Sequence, residues 1–338
     1  MRFGPVPVEE ALGATLAHSM QLGRQRLKKG IVLSEPDLAA LSAAGVAQVT
    51  VARLDPNDVA EDAAAAMLAE ALVPDPRAAG VQIGRAFTGR VNLHATRPGL
   101  LRLDADAVHA LNRIDPAITL ATLTPLTRVR PRMLVGTVKI ISYAVPGCAL
   151  QAACAAVDLR KSKSGGFSVL PVQRRRAGLI LTEVPGQKPS LSVKGRAAVE
   201  ARLHALGMEL AECRIVAHES AAIAAALPEL AGDLVLILTG SATSDLRDTA
   251  PEGVRAAGGH VARFGMPVDP GNLLFTADLN GRPVIGLPGC ARSLALNGAD
   301  WVLERIACGL EVSDDDIAEM GVGGLLKEIP IRPQPREG

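Results

Sequence analysis

Leu234-Val235-Leu236-Ile237-Leu238-Thr239-Gly240-Ser241-Ala242-Thr243-Ser244-Asp245-Leu246-Arg247-Asp248-Thr249-Ala250-Pro251-Glu252 decides the reading of the fold. Five consecutive aliphatic residues without polar alternation predict a strand covered on both faces, as in a parallel sheet between helices. The chain then turns through glycine and hydroxyl residues, and Pro251-Glu252 marks a helix start. The same pattern repeats outward. Gly178 to Thr182 reads as a strand, and Val193 to Leu206 as an amphipathic helix with Val199, Leu203 and Leu206 on one face, stopped by Gly207. Cys213 to Ala217 reads as a strand, Ser220 to Leu230 as a helix and Val284 to Leu287 as a further strand. The last turns through Pro288-Gly289 into a helix over Ala291 to Ile306. Strands alternating with helices at this spacing predict an α/β fold with a mostly parallel sheet.

The upstream half is less regular. Val8, Leu12 and Leu16 recur at four-residue spacing, which predicts an opening helix. A basic stretch (Arg24, Arg26, Lys28, Lys29) leads into Gly30 to Leu33, read as a short strand. Ser34 N-caps a helix that begins at Glu35-Pro36-Asp37 and closes at Gly45; Val46 to Val51 reads as a strand. A third helix is expected over Pro56 to Leu72, followed by a linker at Pro74-Asp75-Pro76. Leu100 to Leu103 and Leu134 to Ala144 read as strands around a helix that starts near Asp104. The basic stretch at Arg160, Lys161, Lys163, Gly165 and Gly166, then Arg174-Arg175-Arg176, is a solvated hairpin or connector, or else a phosphate contact. The expected domains are 1–73, 74–170 (smaller α/β units), 171–312 and a tail over 313–338.

Hydrophobic residues make up 48% of the 338 and aromatics 2%, so Leu, Ala, Val and Ile fill the interior. A formal charge of +1 supplies no field to gather nucleic acid or an anionic membrane, so any anion site is local. MRFGPVPVEEALG lacks the features of a signal peptide, and no apolar run has the length of a membrane span. Five scattered cysteines (Cys148, Cys154, Cys213, Cys290, Cys308) show no zinc spacing; reduced cytoplasmic thiols are expected.

In open α/β sheets, ligands bind beyond the carboxyl ends of the strands. Thr239, Gly240, Ser241, Thr243 and Ser244 offer hydroxyls and backbone N–H groups suited to a phosphate. Arg247 adds a charge-assisted donor, and Asp245 and Asp248 are carboxylates able to hold magnesium or a proton. The second loop, Pro288, Gly289, Cys290, Arg292 and Ser293, suits another anion. The same residue types also build any turn into a helix, so from composition alone both readings stand.

TGSATSDLRDTAPEG resembles the TGGTG-x-x-x-RD-x-TPEA segment of molybdopterin adenylyltransferases, and GLPGCARS resembles the GLPGNPVS segment of molybdopterin molybdotransferases. Between them GMPVDPGN is similar to a further stretch of those enzymes, and CRIVAHESAAI resembles their strand that ends in an acid pair. VPVEEALGATLAHSM and LKKGIVLSEPDLAALSAAGVAQVTV resemble parts of the molybdotransferase N-terminal region. The resemblance implies a three-layer α/β/α molybdopterin-binding domain that assembles into homo-oligomers. It also implies magnesium-dependent chemistry on the terminal phosphate of molybdopterin, either activation with ATP or insertion of molybdate. In that scheme Arg247, Glu252 and the loop residues named above contact the ligand, while Asp248 and Glu219 hold magnesium or act as general base.

Departures from the family pattern are specific. Gly240-Ser241-Ala242-Thr243 replaces GGTG, His218 replaces one acid of the pair, and Cys290 stands where asparagine is usual. Cys290 is then a ligand to molybdenum or a thiol to its dithiolene, or only a small capping residue. Two other functions remain open. One is a pterin carrier, chaperone or regulator that serves other cofactor-biosynthesis or molybdoenzyme proteins. The other is a nucleotide-processing hydrolase built on the same domain.

Overall fold

Alternating side chains along Leu234–Leu238 divide between two faces of a six-stranded sheet. Val235 and Ile237 pack with Ile180 and Val284 against Ile223, Leu227 and Val254, which come from the helices Ser220–Ala226 and Thr249–Ala256 and the turn between them. On the other face, a Cβ placed at Gly195 would meet Leu238 and Leu181, so the helix Pro189–Ala205 lies directly on that side. The result is a three-layer α/β/α arrangement, as expected. Across the sheet the order is Glu209–Ala217, Arg176–Glu183, Leu234–Leu238, Arg282–Leu287, Phe275–Leu279, His260–Phe264. The first four run parallel. Phe275–Leu279 runs antiparallel to both its neighbours, so one strand alone opposes the others.

The computed structural model describes residues 1–157 and 166–326. Arg160, Lys161, Lys163 and Gly165 lie outside the described residues. The chain divides into two units, Met1–Leu170 and Pro171–Gly338. The first has two apolar clusters. One gathers Val8, Leu16, Leu33, Leu41 and Val51 around the helix Glu35–Ala43, where Ser34 and Asp37 form the capping box. The other packs the helix Glu61–Leu72 against the sheet that holds Arg90–Ala95 and Leu134–Ile140. Among the described residues no helix is long and apolar enough to cross a membrane.

Four local expectations are corrected. The opening segment is a strand, Arg2–Pro7, then a 3-10 turn, Val8–Glu10, and a short strand, Thr15–Leu16, rather than a helix. Pro5 and Pro7 lack the N–H groups a helix needs, Gly13 turns the chain at φ 73°, and Leu12 is 52% exposed. Gly30 to Leu33 forms only an isolated bridge from Val32 to Thr15. The third helix begins at Glu61, because Asp58–Ala60 pairs instead with Ala144–Pro146. The helix expected over Ala291 to Ile306 is a 3-10 turn, Gly289–Arg292, an irregular stretch, and a helix Gly298–Ala307 capped by Asn297 and Asp300.

Candidate functional site

Leu238 and Leu287 sit opposite each other at the carboxyl ends of neighbouring parallel strands, so the loops that follow emerge side by side. Arg292 ties them together: its Nη2 donates to the Thr239 carbonyl at 2.7 Å. Thr239 is buried and Gly240 half-buried. Gly240 donates its N–H to Thr182 Oγ1 at 2.8 Å, and that hydroxyl also bonds His218 Nδ1 at 2.8 Å. Position 240 accepts only glycine, since a Cβ would lie 2.6 Å from Gln187 Oε1 and 2.7 Å from the Thr182 carbonyl. At Gly289 a Cβ would meet only Arg292 Nη1, at 3.8 Å, which leaves that turn open to a ligand.

Beyond Gly240, Ser241, Ser244, Asp245 and Arg247 are exposed, and Thr243 turns inward. Asp248 is the N-cap of the helix Thr249–Ala256. One carboxylate oxygen accepts from the Thr249 N–H at 2.6 Å; the other accepts from the Ser244 N–H at 2.9 Å and the Ser244 hydroxyl at 3.3 Å. Burial alone pushes this carboxyl up. The bonds from Ser244 and Thr249, with the attraction of His218, outweigh that and hold it below the usual carboxylate range. Asp245 accepts from the Arg247 N–H at 2.8 Å, while the Arg247 guanidinium stays exposed and unpaired among the described residues.

Other residues singled out in the sequence have different surroundings. Glu252 pairs with Arg255 at 2.6 Å, and Arg255 also donates to the Leu246 carbonyl, so both brace the loop. Glu219 is exposed at the start of Ser220–Ala226, and the group whose charge acts on Asp248 is His218. Among the described residues no group of three or more His, Cys, Asp or Glu side chains is placed to hold a metal ion. Pro288 is buried; Cys290 is exposed and accepts from Asn297 Nδ2 at 3.4 Å; Ser293 is exposed.

Several residues that matter here lie far along the chain from the groups they hold. Arg202 and Asp300 form a buried ion pair at 2.6 Å. From that anchor Arg202 also donates to the carbonyls of Ala291, Ser293 and Ala295, at 2.8, 2.7 and 3.3 Å. Those carbonyls are thereby withdrawn from helical bonding, which breaks the expected long helix and fixes the second loop. Gln187 Oε1 and Arg292 Nε, both beside the Thr239-Gly240 turn, are buried and make no hydrogen bond among the described residues. One is an acceptor and the other a donor, so the turn presents unmet polar demand of both kinds. Burial also lowers the proton affinity of the Arg292 guanidinium.

Residues 194–307 match the family described as a probable molybdopterin binding domain, and residues 5–53 match a domain of unknown function, DUF8806. The resemblance read from the loop sequences is thus found independently over this part of the chain. No curated protein matches. Similar solved structures include a molybdopterin biosynthesis MoeA protein from Pyrococcus horikosii, with 15% identity, 91% of this chain and 76% of that chain covered, and a TM-score of 0.32. A molybdenum cofactor biosynthesis protein from Pyrococcus furiosus gives 14% identity, 94% and 65% coverage, and a TM-score of 0.25. The chain thus spans somewhat less than two thirds of the latter's length.

Proposed function

We propose that the C-terminal unit binds molybdopterin through its terminal phosphate at the paired loops, and that it acts as a carrier rather than as a magnesium-dependent transferase. One observation carries this reading. The Arg247 guanidinium stands free next to Asp248, whose two carboxylate oxygens are both engaged in capping. The free cation suits a phosphate, while the carboxylate already accepts three bonds from Ser244 and Thr249, which leaves little of its acceptor capacity for a metal. The unmet acceptor and donor on Gln187 and Arg292 fit a ligand that, like a pterin, offers both kinds of group. Gly289, Ser241 and Ser244 are exposed on these loops.

A carrier receives its cargo from one protein and delivers it to another, so the proposed partners are other cofactor-biosynthesis or molybdoenzyme proteins. Homo-oligomer formation and a cytoplasmic setting, where the five free thiols stay reduced, belong to the same proposal. The test is to supply the full chain with molybdopterin, ATP, molybdate and magnesium. Binding with an affinity unchanged by magnesium, and no consumption of ATP or molybdate, is expected. Magnesium-dependent turnover that Asp248→Asn abolishes would instead establish a transferase.

A further inference from the structure

A cleft of about 250 Å³ lies within the N-terminal unit, lined among others by Lys29, Glu61, Thr88, Lys139 and Tyr143. It falls just under the roughly 300 Å³ at which pockets for drug-sized ligands begin, so its occupant is small. Four separate parts of the chain meet there: the basic turn after Gln25–Leu27, the start of the helix Glu61–Leu72, the Thr88-Gly89 turn, and the strand Leu134–Ile140 with the residues that follow it. The walls are held in place by backbone geometry. Tyr143 donates its hydroxyl to the Ala17 carbonyl at 2.8 Å, and its own carbonyl accepts from the Glu61 N–H at 3.0 Å. Gly89, at φ 69°, donates to Asp62 at 2.7 Å, and a Cβ there would collide first with the Ile140 carbonyl and then press on Glu61 Oε2 at 3.0 Å. Glycine at 89 is therefore what lets the Thr88-Gly89 turn close over the glutamate.

The charges in this cleft are unbalanced. Lys29 and Lys139 both act on Glu61, yet neither ammonium makes an ion pair within 4.0 Å among the described residues, and the Glu61 carboxylate accepts no hydrogen bond. We propose that the cleft is an anion site that takes the phosphate group of a small phosphate monoester between Lys29 and Lys139, with the Thr88 hydroxyl as a further donor. Two ammonium groups match a dianion better than they match one partly buried carboxylate.

Glu61 fits this role as well. Burial, and secondarily the charge of Asp62 on its own helix, pushes its carboxyl up, while Lys29 and Lys139 from two facing walls pull it down less strongly. Tyr143 also faces it. A dianion entering the cleft adds to the repulsion, so Glu61 takes up a proton and becomes a donor to the phosphate. The inference concerns the N-terminal unit alone and stands whether or not the C-terminal loops bind a pterin.

The test is titration of the full chain with phenyl phosphate and with benzoate at low ionic strength, followed at the backbone amides of Gly30, Gly89 and Ile140 by nuclear magnetic resonance. Saturable shifts at these amides, stronger for phenyl phosphate, are expected, and Lys29→Gln or Lys139→Gln should weaken binding roughly tenfold or more. Glu61→Gln should bind at least as tightly as the parent and should abolish the proton uptake seen by calorimetry in buffers of different ionisation enthalpy. The proposal is overturned if these amides do not shift. Equal binding of benzoate, or parental affinity when Lys29→Gln and Lys139→Gln are combined, also overturns it.

Discussion

Replacing Arg202 by methionine keeps an unbranched apolar stem and removes the charge and all the donors. Both partners of the Arg202–Asp300 pair are more than nine-tenths buried and 2.6 Å apart. The change therefore strands Asp300 in a buried site where, among the described residues, the Asn297 N–H alone stays bonded to it, at 2.9 Å. Loss of one partner from a buried pair costs about 3–5 kcal/mol. The carbonyls of Ala291 and Ser293 also lose their donor, which places the expected value toward the upper end of that range. Arg202→Lys restores a charge for Asp300 but cannot fork to the carbonyls, so a loss of about 1–3 kcal/mol is expected. Against a typical total of about 5–15 kcal/mol, the methionine variant leaves the C-terminal unit marginal. Urea unfolding followed by fluorescence measures this directly, because the single tryptophan, Trp301, adjoins Asp300. A loss under about 1 kcal/mol for Arg202→Met, the value of a solvated surface pair, would refute the claim that this pair anchors the second loop.

Gly240→Ala should destabilise the fold by about 1–3 kcal/mol by overpacking against the Thr182 carbonyl and Gln187, as read from thermal melting; an unchanged melting temperature would contradict the close approach. Asp248 has a depressed folded-state pKa, so its contribution to stability is present above its unfolded value of about 3.9 and is lost as pH falls through the lower folded value. Unfolding profiles of the parent and Asp248→Asn should therefore converge below about pH 4, and a constant gap down to the acid limit would deny the shift. At neutral pH Asp248→Asn should cost about 0.5–2 kcal/mol, because an amide has one acceptor oxygen where the cap uses two. Arg247→Ala should leave stability unchanged, since its side chain is exposed and unpaired, and weaken phosphate-ligand binding by about 1.5–3 kcal/mol; calorimetry decides.

How much of this was legible in the sequence varies by element. Leu234–Leu238 was plain because a strand covered on both faces must be apolar throughout. The antiparallel hairpin Phe275–Leu279 and Arg282–Leu287 had its own signal in Asn280-Gly281, both at positive φ, but only the second strand was read from it. The opening segment shows the reverse error: Val8 and Leu16 are buried by a strand and a turn that happen to reproduce helical spacing. At the site, the two loops were legible because turn chemistry is local. Thr182, Gln187 and Arg202 were not, because each acts across the sheet or from a distant helix and leaves no pattern near its partner. Asn297 and Asp300 did carry a capping-box spacing that marks where the last helix begins.

The proposed hold of the paired loops on molybdopterin depends on Arg247 meeting its phosphate. The most direct measurement is mass spectrometry of ligand co-purified with the full chain from a host that makes the pterin, compared with the Arg247→Ala chain prepared identically. The account predicts molybdopterin on the parent chain and its depletion from Arg247→Ala at equal folded yield. Equal pterin on both chains, or a different co-purified ligand on the parent, would contradict it.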